Sequence, residues 1–156
     1  MDDGTDGTPA ETAELTGVWW DAWRGIVFTN ARVLREVSRD LEVSQGISLV
    51  ALDVLSRLYD VPERRLRMQE LQDRLLFTYS GVTRLIDRIE RDGLVRRERV
   101  PTDRRGVYAV LTDEGARMYE RGIAQHRADV ERVFASRLTE TQHRAVADAL
   151  RGSWDE

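Results

Sequence analysis

Ser80, Thr83, Arg84, Asp87 and Arg91 fall at i, i+3, i+4, i+7 and i+11, which puts them on one face if this stretch is helical. Small hydroxyls come first and arginines follow. That order suits a helix entering a DNA major groove with its first turn leading: short hydroxyls near base edges, long cations for bases or phosphates. Arg84 has the reach for bidentate contact to a guanine, worth about 1–3 kcal/mol of discrimination. Thr78, Tyr79 and Gly81 lie at the start of the same helix, where Thr78 is equally suited to be the N-cap. Arg88 sits on the flank, placed for phosphate or for the base of whatever follows. Asp87 can orient Arg91 at i+4 or Arg84 at i−3, or accept from a cytosine amino group. Val82, Leu85, Ile86 and Ile89 make the opposite, apolar stripe. A solvated amphipathic helix would show the same pattern, so the neighbouring segments decide.

Downstream, Asp92-Gly93 ends the helix, with glycine as C-terminal stop. LVRRERV then alternates weakly as a strand, PTDRRG turns, and VYAVLT returns. This is a β-hairpin with a five- or six-residue tip bearing Arg104 and Arg105. Asp103 is placed to bond the turn backbone or to pair with an arginine from the helix. Gly106 permits a positive φ. So held, Arg105 points toward a minor groove, where narrow A·T-rich sequence concentrates negative potential. Of Arg96, Arg97 and Arg99, at most one alternating set can face DNA. Upstream, Ser48 can cap a helix carrying Leu49, Leu52, Leu55, Leu58 and Tyr59. A turn around Pro62 with an Arg-Leu-Arg run able to pair as a minor strand leads to a short helix, Met68 to Leu75. Two short helices, a tight turn and then a hairpin spell a winged helix-turn-helix, about residues 48–112.

The ends of the chain read as long helices. The first spans about 16–41, with Trp19, Trp20, Trp23, Val27, Leu34, Val37 and Leu41, before a break at Glu42 to Gly46. The second starts at about 113, capped by Thr112, and runs to about Arg137 with Tyr119, Ile123, Val130, Val133 and Phe134 inward. Thr139 and Gln142 have capping-box spacing and open a last helix bearing Val146, Leu150 and Trp154. This apolar surface exceeds what one small winged-helix core needs, so a homodimer is expected. Aromatic density at Trp20, Trp23, Phe28, Tyr59 and Phe77 suggests a ligand cleft under the first helix, although core packing explains much of it. Residues 1–14 are polar and Gly/Thr/Asp-rich and read as a disordered tail; residues 15–156 form a single domain. The fold class is mainly α with a small β-hairpin (α+β).

Charge is divided along the chain. The net charge is −4, yet residues 64–106 carry 12 arginines against 7 acids, and the remainder 12 arginines against 21 acids. A basic segment within an acidic chain is the electrostatic footprint of a nucleic-acid face. All 24 basic residues are arginine, a chain-wide bias that a high-GC genome explains. Cysteine is absent, which excludes disulfides, zinc–thiolate sites and cysteine nucleophiles in this sequence. His126 and His143 are the two histidines; packing roles suit them better than metal ligation. Gly-rich phosphate loops, catalytic triads and metal motifs are missing, which argues against an enzyme and against any cofactor. An acidic start and the lack of a long apolar run predict a cytoplasmic protein, nucleoid-associated when on DNA.

The run SGVTRLIDRIERDGLVRRE, then P-x-DRRG and VxLTDEG, resembles the MarR (multiple-antibiotic-resistance regulator) transcription factors. The resemblance covers about Trp19 to Leu150. Its most specific part is the D-x-R-G signature at Asp103, Arg105 and Gly106, followed by L-T-x-x-G at Leu111 to Gly115. It implies a winged-helix homodimer on double-stranded palindromic DNA, with the first and last helices dimerising. It also implies a regulator, as a repressor, releasing DNA when a small aromatic effector enters a cleft between the dimerisation and DNA-binding parts. The competing reading is a winged helix used for protein–protein interaction.

Overall fold

Glycine and proline punctuate this chain less than its caps do. The computed structural model describes residues 17–75 and 81–152, apart from the Arg104 side chain. Helix α1 spans Val18–Gln45, about 42 Å at 1.5 Å per residue. The break expected at Glu42 to Gly46 shrinks to one residue: Gly46 takes φ 69° and returns its N–H to Glu42 O at 3.0 Å. Glu42, Val43, Ser44 and Gln45 are all tolerated in a helix; the left-handed stop is what needs glycine. Helix α2, Leu49–Tyr59, is capped by Ser48, whose Oγ accepts from Ala51 N at 3.2 Å. Strand β1 (Arg65–Arg67) leads directly into α3 (Met68–Arg74). Helix α4, Val82–Arg91, buries Val82, Leu85, Ile86 and Ile89.

Strands β2 (Val95–Val100) and β3 (Asp103–Leu111) form the hairpin, and the sheet order is β1-β3-β2, antiparallel throughout. Here the expected long tip is corrected. Val100 pairs with Asp103, whereas Arg99 pairs with Val107. The connecting turn is therefore Pro101-Thr102, and Arg104, Arg105 and Gly106 bulge from β3 opposite no partner. A bulge pushes residues out of the pleat and re-aims them.

Helix α5, Asp113–Val133, is capped by Thr112, whose Oγ1 accepts from Gly115 N at 2.9 Å and donates to Gly93 O at 2.7 Å. It ends four residues before the expected Arg137, because Phe134 leaves helical geometry (φ −114°) and a 3₁₀ turn, Ala135–Arg137, follows. That turn delivers Thr139 to its box with Gln142 at the start of α6, Glu140–Leu150. Around α2 lies the core: Leu52, Leu55 and Leu58 meet Leu66, Leu71, Ile86, Ile89 and Ala109. Gly115 closes it. A Cβ there would stand 2.0 Å from Leu94 O, so glycine lets α5 approach the foot of the hairpin. Among the described residues, no helix is long and apolar enough to cross a membrane. The expected tail 1–14 and Trp154 lie outside the described residues.

Candidate nucleic-acid interface

Helix α4 shows its polar face to solvent: Thr83, Arg84, Asp87, Arg88 and Arg91 are exposed. Gly81 precedes it, its carbonyl accepting from Leu85 N at 2.9 Å. Thr78, Tyr79 and Ser80 lie outside the described residues. Arg84 makes no ion pair among the described residues, so its fork is free for a ligand. Arg91 Nε donates to the backbone carbonyl of Asp87 at 3.2 Å. The Asp87 carboxylate does not orient Arg84 or Arg91. It lies 2.6 Å from Nη2 of Arg97 on β2, because a guanidinium already bonded to Glu90 is a better partner than a solvated neighbour on the same helix. Arg88 lines a cleft with Ser48, Asp92 and Glu114, between the first turns of α2 and α5, rather than pinning the hairpin.

At the hairpin bulge, Asp103 works in two directions. Its Oδ1 accepts from Arg105 N at 3.0 Å, closing an Asx-type turn. Its Oδ2 accepts from Arg67 Nη1 at 3.1 Å, tying the bulge to the start of α3. The cationic partner thus comes from β1, not from α4. The Arg105 side chain is exposed and unpaired among the described residues. Gly106 is not in the left-handed region; its role is space. A Cβ there would fall 2.8 Å from Asp103 Oδ2 and from Val100 Cγ2, displacing the carboxylate that holds the turn.

The four described aromatic candidates for a ligand cleft do not line one pocket. Trp20, Trp23 and Phe28 share one face of α1, with Trp23 53% and Phe28 66% exposed. Tyr59 instead packs on Tyr119, ring centroids 4.6 Å apart, and donates its hydroxyl to Glu120 at 3.0 Å. That hydrogen bond, with the negative charge of Glu120, raises the phenol pKa. Phe77 lies outside the described residues. Residue 20 is about 21 Å along α1 from residue 34, where α1 meets α2. A cavity of about 280 Å³ does exist at that seam, walled by Leu34, Leu49, Leu52, Tyr119 and Ile123 and floored by Asp53, Ser56, Arg57 and His126. Nδ1 of His126 is buried without a partner among the described residues, and burial lowers the imidazole pKa. The signal for this cavity was legible: Asp53 and Arg57, the two charged residues of a mostly apolar helix, stand one turn apart and pair at 3.2 Å. Among the described residues, no cluster of acids and histidines could hold a metal.

Comparison with known proteins gives one answer. The MarR family model matches residues 45–106, from the end of α1 to the hairpin bulge. The chain is 32% identical over 120 residues to the uncharacterized HTH-type transcriptional regulator YkoM of Bacillus subtilis, covering 74% of this chain and 76% of that protein. It is 34% identical over 98 residues to the HTH-type transcriptional repressor MdtR of the same organism, over 63% of this chain and 61% of that one. Among solved structures, Sco3205 of Streptomyces coelicolor, a MarR family transcriptional regulator in complex with DNA, superposes with TM-score 0.77. The two are 33% identical, and the match covers 88% of this chain and 89% of that one.

Proposed function

This chain belongs to the MarR family of transcriptional regulators, and from that premise we propose that it represses transcription by binding a palindromic operator as a homodimer. One observation carries the reading: Arg97 of β2 reaches Asp87 on the exposed face of α4, which makes that face and the hairpin one continuous surface. Ser80, Thr83 and Arg84 read the major groove, and Thr78, Tyr79 and Gly81, which precede α4 in sequence, also serve the DNA. Arg88 and Arg91 serve phosphate. Arg104 and Arg105 serve the minor groove as a wing, with Asp103 holding Arg105 rather than touching DNA. The DNA complex of Sco3205 and the repressor MdtR support DNA binding and repression by kinship, apart from any residue's role. Exposed apolar residues on α1 and α6, among them Trp19, Ile26 and Val146, support the dimer. A small aromatic effector would fit the seam cavity better than the exposed tryptophans, and it would act by favouring a spacing of the two α4 helices unsuited to DNA. The place of action would be the nucleoid.

The test is selection of bound fragments from the source genome. A palindrome whose half-sites lie about 34–36 Å apart should be enriched, and light scattering should give a dimer. Enrichment of no site, with salt-insensitive behaviour on heparin, would favour a protein-interaction role instead.

A further inference from the structure

Arg97 is less exposed than Arg96 on β2, at 28% against 55% of its side chain. Both ends of its fork are engaged: Nη2 with Asp87 at 2.6 Å, Nη1 with Glu90. Its backbone N–H also donates to Glu90 Oε1 at 3.0 Å. Burial pulls the guanidinium pKa down, but the hydrogen bonds that Asp87 and Glu90 accept from it outweigh this and leave it above the ordinary value. Asp87 and Glu90 sit three apart on α4, so both reach the same strand.

The two carboxylates differ in consequence. Glu90 is on the side of α4 that meets the sheet, with 33% of its side chain exposed. Asp87 is 50% exposed and shares the polar face of Thr83, Arg84 and Arg91. A bare carboxylate there would lie well within the Debye length, about 8–10 Å at 0.1–0.15 M salt, of any phosphate that face approaches. With Arg97 the cluster carries one net negative charge; without it, two. Each Nη of Arg97 already holds a carboxylate, and most of its side chain is covered, which turns the fork toward α4 rather than toward a phosphate.

We propose that Arg97 is a positioning residue for DNA recognition, which masks Asp87 on the reading face of α4 without itself contacting DNA. The inference rests on the DNA-binding role proposed above. It makes the arginines of β2 unequal: Arg99, exposed and unpaired among the described residues, is the phosphate contact of that strand, and Arg97 works through Asp87.

The experiment is a double-mutant cycle on the full chain, read by anisotropy of a labelled duplex carrying the selected operator, over a series of salt concentrations. Arg97→Ala should weaken binding about tenfold, and Arg97→Gln, which keeps the length without the charge, should match it. Asp87→Asn should bind as tightly as the native chain or tighter. Combining Asp87→Asn with Arg97→Ala should recover most of the loss, at unchanged melting temperature, because the charge that needed masking is gone. Equal loss in Arg97→Ala with and without Asp87→Asn, or a salt slope lowered by about one unit per arm in both, would make Arg97 a direct phosphate contact and overturn the proposal. Weakened binding by Asp87→Asn alone would overturn it too, by placing Asp87 on a base. A native chain that selects no operator defeats the DNA-binding reading itself, which is a separate result.

Discussion

Helices α2 and α6 are both eleven residues long and both amphipathic, yet they have opposite fates. Six residues of α2 are buried; none of α6 is. Helix α1 repeats the contrast within itself. Val37 and Leu41 near its end are buried, whereas Trp19, Trp23, Ile26, Val27 and Phe28 near its start are open to solvent. The winged-helix half is therefore finished within one chain. At the other end, a groove between α1 and α6 is lined largely by apolar side chains, Ile26, Phe134, Leu138, Val146 and Leu150 among them. Apolar periodicity says which face will be covered. It does not say by which chain, and a large uncovered apolar surface is the mark of an interface.

Substitutions in the two halves should fail in different currencies. Leu55 is fully buried in the winged-helix core, so Leu55→Ala should cost about 2–5 kcal/mol of stability through lost burial and a cavity. A thermal or urea melt reads this, and the subunit count in light scattering should not change. A loss below about 1 kcal/mol would mean that this half is less complete than its burial implies. Val146, 40% exposed on α6, should behave in the reverse way. Val146→Asp should leave the winged-helix half folded, convert dimer to monomer, and weaken operator binding about a hundredfold, roughly 2.7 kcal/mol. A Val146→Asp protein that remains a full-affinity dimer would put the interface elsewhere.

Local rules made much of the fold legible. The Ser48, Thr112 and Thr139 caps, the α4 stripe and the antiparallel hairpin each depend on residues within a few positions of one another. What escaped depended on distance in sequence. Spacing offered Asp87 the neighbours Arg84 and Arg91, but the fold brings Arg97 across the turn, and a second carboxylate, Glu90, fixes it there. Glycine type alone could not separate a positive φ from a close approach. Gly106 and Gly115 are both cases of approach, to Asp103 and to Leu94. The hairpin tip reads as five or six residues because a bulge opposite Arg99 and Val100 leaves no trace in residue pattern. Aromatic density carries no distance: Trp20 lies near the start of α1 with Trp23 and Phe28, while Tyr59 packs on Tyr119, neighbourhoods that sequence runs together.

Within the proposed DNA face, the exposed wing gives a smaller effect than the interface does. Arg105→Ala should weaken operator binding about tenfold. It should lower the slope of log affinity against log salt by about one unit per arm, two per dimer, with dimerisation and melting temperature unchanged. Asp103→Ala should cost less, since the cation stays but loses the turn that holds its backbone; its pairing with the half-exposed Arg67 adds little stability. Arg105→Ala with native affinity and native salt slope would sink the wing assignment while leaving the fold intact.

The smallest effect belongs to the seam where the two halves meet. His126 on α5 lies in the cavity floor with Asp53, Arg57 and Ser56 of α2, and Asp129 is near it on its own helix. Burial lowers its pKa below the ordinary 6.5, and the opposing pull of Asp129 is the weaker cause. The sign follows. Above pH 6.5 the ring is neutral in both folded and unfolded chains and contributes no pH dependence. As pH falls through 6.5 the unfolded chain takes up the proton first, so stability declines until the folded-state pKa is passed. One proton sets the ceiling, about 1.4 kcal/mol per pH unit. His126→Gln should therefore flatten the fall in melting temperature between pH 7 and pH 5 relative to the native chain. An identical pH profile in His126→Gln and native protein would show that the seam does not discriminate between the two charge states of this ring. The acid sensitivity of the chain would then lie with its carboxylates, such as Glu114, held below its usual pKa by Arg117 and Arg121.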